Sequence, residues 1–139
     1  MANIALKDPA KRNQLEPERV TEQDSYILGE AFTKPGPGYI HPVTGRIMRG
    51  DASAAGTAAV RGFVWKPGVA GDGRTFYRKA VMDGYDVDAL AFDAPLYLSD
   101  DAGEIADAPG TVPVIVARVV PAKVESRGQV PAKLVRWDL

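Results

Sequence analysis

One histidine, no cysteine and eighteen carboxylates are the side chains with which this 139-residue chain could do chemistry. Eight of the carboxylates (Asp83, Asp86, Asp88, Asp93, Asp100, Asp101, Glu104, Asp107) fall within residues 83–107, a stretch without lysine or arginine. Such a stretch suggests calcium, but an EF-hand loop needs Asp-x-Asp-x-Asp-Gly and a glutamate at its twelfth position. Asp86-Val-Asp88-Ala-Leu-Ala does not supply that pattern. Two of these acids could serve as acid and base in glycoside hydrolysis, although a chain this short has little room for the cleft.

His41 stands between Ile40 and Pro42 in an expected turn. A zinc site needs several nitrogen or sulfur ligands. A catalytic triad needs a base presented to a nucleophile, and nothing marks Ser25, Ser53, Ser99 or Ser126 for that role. Gly68-Val-Ala-Gly-Asp-Gly73-Arg74-Thr75 fits the phosphate-loop spacing with arginine in place of lysine. That loop must lie between a strand and a helix, so that amides and helix dipole hold the phosphates. Here Thr75 opens a strand pattern, and a hairpin turn accounts for the glycines. The expectation is therefore no catalytic residue, no cofactor and no metal: a protein that is not an enzyme.

Basic residues flank the acidic stretch, with Arg61, Lys66, Arg74, Arg78 and Lys79 before it and Arg118, Lys123, Arg127, Lys133 and Arg136 after it. They can pair within one copy as surface ion pairs of small value, or between copies to steer assembly. Asp100 and Asp101 are the candidates for the second role.

The elements that would position these groups are mostly strands. Residues 1–34 carry eleven charges and scattered apolar residues, with Pro9 and Pro17 interrupting any long helix. A short helical turn is expected from Glu16 to Gln23. Alone, such a segment cannot bury enough apolar surface to offset its ordering entropy. It reads as an extended N-terminal arm, residues 1–38, ending in Pro35-Gly36-Pro37-Gly38 and holding a partner through Leu15, Tyr26, Ile27 and Phe32.

The remainder, residues 39–139, reads as a β-rich body. Tyr39–Met48 is a hairpin around the turn Pro42-Val-Thr-Gly45, and residues 50–59 are a flexible loop of small residues. Strand patterns follow at 59–65, 75–82, 94–99, 104–106, 112–120 and 133–139, with a helical turn at 86–92. Close spacing and glycine or proline turns predict a mainly β fold, a small antiparallel barrel or sandwich.

The apolar fraction of 45% suits one globular domain. A net charge of −1 predicts neither a nucleic-acid nor a membrane partner. No run reaches signal-peptide length or the ~20 apolar residues that span a bilayer. The expectation is a soluble chain made in a cytoplasm that ends in a larger particle.

The run Ala89-Leu-Ala-Phe-Asp-Ala-Pro-Leu-Tyr-Leu-Ser-Asp-Asp-Ala-Gly-Glu-Ile105, then Gly110-Thr-Val-Pro-Val-Ile-Val-Ala-Arg-Val-Val-Pro121, resembles the small capsid cement (decoration) proteins of tailed bacteriophages. The likeness spans roughly the last 80 residues and is one of strand and turn pattern. It implies a compact β-domain, a homotrimer on local three-fold positions of the head, with the major capsid protein as partner and the virion surface as location. Another virion part, such as a tail or connector component, is the nearest rival. From a different class comes a small ligand- or carbohydrate-binding β-module, with Tyr39, Trp65, Phe76, Tyr77 and Trp137 as stacking residues.

Overall fold

A computed structural model describes residues 2–6, 19–122 and 132–139. Its elements are all strands: β1 Arg19–Ile27, β2 Gly36–Ile40, β3 Ile47–Arg49, β4 Gly62–Val64, β5 Gly73–Met82, β6 Pro95–Leu98, β7 Ile105–Ala106, β8 Ile115–Pro121 and β9 Lys133–Asp138. Every pairing is antiparallel, in the order β3-β2-β4-β5-β9-β8-β6-β7, with β1 added beside β5. The mainly β, barrel-like body expected from the sequence is what forms.

The long strand β5 organises the sheet. β1 runs along it from Ile27↔Gly73 to Arg19↔Val81. A strand has two edges, so β4, paired at Phe76 and Tyr77, and β9, paired from Lys79 to Met82, share the other one. Two wings diverge there, β4-β2-β3 and β9-β8-β6-β7, and curl towards each other into a half-barrel. They meet where Gly103 N donates to Gly50 O and Ala52 N donates to Ser99 O, both at 2.8 Å.

The period-two alternation of strands sets which side chains fill the trough. Ala80, Trp137, Ala117 and Leu96 form one registered row facing the main core, and Val81, Arg136, Arg118 and Pro95 form the next row on the other face of the sheet, where Val81 is also buried. Phe63 stacks on Trp137 at 4.5 Å and on Tyr77 at 5.3 Å, and Trp137 donates its indole N–H to Met82 Sδ. Tyr85 and Trp65 complete this aromatic core. A smaller core of Leu28, Phe32, Ile47, Val64 and Phe76 lies on the opposite face of β4 and β5, with Tyr26 packed against it.

Several expectations need correction. The division at residue 38 falls inside β2, and Pro35 to Gly38 is buried in the sheet, so it is no hinge. The described part of the expected arm belongs to the body: residues 19–27 are strand, not helix, and Ile4 is buried in the main core. Pairing with β5 satisfies the backbone of this charged segment, which side-chain burial alone could not order. Residues 50–59 are not a flexible loop, since Ala52 is wholly buried and Asp51 pins the turn. The expected helical turn at 86–92 is a single hydrogen-bonded turn with no helix, closed by Leu90 N donating to Val87 O.

Candidate functional site

His41, which the sequence singled out, holds a turn, and so does Asp51, which it did not. His41 Nδ1 accepts from the amides of Val43 and Thr44 at 3.2 and 3.3 Å. Thr44 Oγ1 accepts from Arg46 N, which finishes the β2–β3 turn. The Asp51 carboxylate accepts from Ser53 N, Ser53 Oγ and Thr57 Oγ1. Burial alone would raise its pKa; these bonds outweigh that and hold it below the usual aspartate range. The Tyr85 hydroxyl, wholly buried, is pushed well above the ordinary tyrosine value by burial.

Asp100 and Asp101 lie together at the β6–β7 turn, but their carboxylates are occupied. Asp100 accepts from Thr111 N at 2.8 Å and from Thr111 Oγ1 at 2.9 Å. Asp101 accepts from Asn3 Nδ2 at 2.8 Å, while Asn3 Oδ1 accepts from Ser99 Oγ. Glu104 pairs with Lys34, and Asp93 with Arg118. The acidic stretch is thus largely bonded within its own copy.

In the phosphate-loop-like segment, Arg74 donates to Pro67 O at 3.1 and 3.0 Å and reaches the Asp72 carboxylate at 3.4 Å. Asp72 in turn accepts from Val69 N at 2.9 Å, and Gly71 turns the chain at a φ of 93° that side chains disfavour. Strand β5 begins at Gly73, with no helix after the loop. The segment is a braced turn beside an open depression of about 460 Å³.

Of the expected partner anchors, Phe32 is wholly buried in the protein's own smaller core and is not available to a partner. Tyr26 packs edge-on against Phe76 at 5.7 Å and is half-buried. Ile27 alone of the described anchors is exposed, and Leu15 lies outside the described residues. Trp65, Phe76, Tyr77 and Trp137 are core residues, which leaves only Tyr39 of the five proposed stacking aromatics partly open to solvent.

The sequence did not single out Leu28, which gathers one end of the molecule around itself. Leu28 N donates to Asp72 O, Gly71 N donates to Leu28 O, and Leu28 bridges to Ile47. Ile47 also pairs with Ile40, so the 41–46 turn, the 67–72 turn and the end of β1 are neighbours. Its only sequence signal was membership of the apolar triplet Tyr26-Ile27-Leu28.

No protein-family model matches the chain, and no curated protein or solved structure matches it. Fold and site together define the class: an antiparallel β half-barrel whose polar side chains brace its turns.

Proposed function

We propose that this chain is a structural virion protein of the capsid cement kind, which binds the major capsid protein as a homotrimer and stabilises a bacteriophage head. The observation that carries the reading is the edge strand β1. Eight of its nine residues pair with β5 on one side, and among the described residues its other edge has no strand partner. An open edge of that length offers backbone donors and acceptors to another chain. The bracing of the turns adds support, because a preorganised scaffold loses little entropy on docking.

The test is co-sedimentation of the purified protein with shells assembled from the major capsid protein of the same phage, together with analytical ultracentrifugation. Saturable binding in threes at local three-fold positions is the expected result. Absence of binding to shells would sink the reading.

A further inference from the structure

Among the described residues, seven large apolar side chains are exposed: Val20, Ile27, Ile40, Val43, Val69, Phe92 and Ile115. Four of them, Ile27 (47% exposed), Ile40 (39%), Val43 (86%) and Val69 (62%), lie on the three segments that meet at Leu28, at one end of the half-barrel. Single exposed apolar residues are ordinary, but a group at one end marks an interaction surface. We propose that this end is the surface that meets the shell, and that it fits an apolar recess rimmed by carboxylates on the capsid protein. The proposal rests on the capsid-binding reading and adds to the open edge of β1 a second contact, the face that seats on the shell.

The two most exposed residues sit on rigid supports. Val43 rides on a turn whose amides are held by His41 Nδ1, and Val69 on a turn held by the Asp72 carboxylate and the Arg74 guanidinium. Fixing such tips in advance removes most of the loop-ordering cost that weakens association. Valine has a single side-chain torsion and is stiff there, so little rotamer entropy is lost when it seats.

The charges around these tips choose the partner. Arg74 is paired with Asp72, whereas the exposed Arg46 has no ion pair among the described residues. Two copies meeting through this same end would set these cations against each other, which disfavours a self-complementary dimer. A lipid surface is the poorer fit, because interfacial anchoring favours tryptophan and tyrosine and the tips carry valine. An acidic protein surface with apolar recesses satisfies both features.

The test compares full-length wild type with Val43→Ser/Val69→Ser, Arg46→Glu and the control Phe92→Ser/Ile115→Ser in co-sedimentation with the same shells. All positions are exposed, so melting temperatures should stay together and report intact folding. The double valine variant should bind about tenfold or more weakly, as central interface truncations do. Arg46→Glu should weaken binding and reverse the sign of its salt dependence, while the control binds as wild type. If wild type binds shells and the valine variant binds equally well, this surface assignment is overturned while the capsid-binding reading stands. If wild type ignores shells, both fall. Valine-dependent binding to vesicles of phosphatidylglycerol and phosphatidylcholine, or valine-dependent dimerisation, would overturn the protein partner in favour of a membrane or a second copy.

Discussion

At the residue scale, Asp51 shows how a carboxylate that could suggest catalysis instead builds a turn. All three of its bonds converge on Oδ1. Asp51→Ala should therefore cost about 1–2 kcal/mol in chemical denaturation, since each bond contributes about 0.5–1.5 kcal/mol and the loop relaxes in part. Asp51→Asn keeps an acceptor oxygen and should cost less than half of that. The pKa of Asp51 is lowered in the folded state. Its ionised form thus stabilises the fold above the unfolded aspartate pKa, and that contribution is lost as pH falls through the lower folded value. The stability gap between wild type and Asp51→Asn should accordingly shrink below about pH 4. A gap that persists at pH 2 would assign the effect to shape and not to charge.

At the element scale, two placements decide stability. Residues 2–6 lie against β7, with Ile4 N donating to Ile105 O at 2.8 Å and Asp107 N donating to Ala2 O at 3.1 Å, and Ile4 enters the main core. β1 covers the whole of β5, and Phe32 is sealed in the smaller core. Deleting residues 1–34 should consequently give a chain without a cooperative thermal transition, and Phe32→Ala alone should cost about 3–5 kcal/mol. A truncated body that melts cooperatively would show that β1 and Phe32 are dispensable. The second placement is the seam between the wings. A Cβ on Gly36 would lie 2.1 Å from Gly103 O, a backbone atom that cannot turn aside. Gly36→Ala should cost about 1–3 kcal/mol or more by overpacking, read from urea midpoints.

At the scale of the whole molecule, the open edge of β1 is both an opportunity and a hazard. Register shifts flank Glu22, and exposed Gln23 and Asp24 sit mid-strand. Irregularity and charge are the devices by which edge strands avoid pairing with one another. Gln23→Val with Asp24→Val should leave the melting temperature close to wild type yet raise light scattering several-fold on incubation at high concentration. Scattering that stays at the wild-type level would show that the edge is protected in another way.

The strands of the body were legible because they carry local signals. The β-branched run Ile115 to Val120, the alternation of Lys133 to Asp138 and the turns at Gly45, Gly71 and Gly103 act through neighbouring residues, whatever the remainder of the chain does. β1 was not legible, because an edge strand with exposed side chains needs no apolar alternation and takes its order from backbone bonds to a strand some fifty residues away. The same reason hid the site. Whether Ile27 faces a partner while Phe32 five residues on fills a core depends on where β4, β5 and the 67–72 turn come to lie. Local pattern determined that this chain makes strands and turns. Long-range pairing alone decided that the charged segment belongs to the body, that Asp100 and His41 brace turns, and that Ile27, Ile40, Val43 and Val69 share one end.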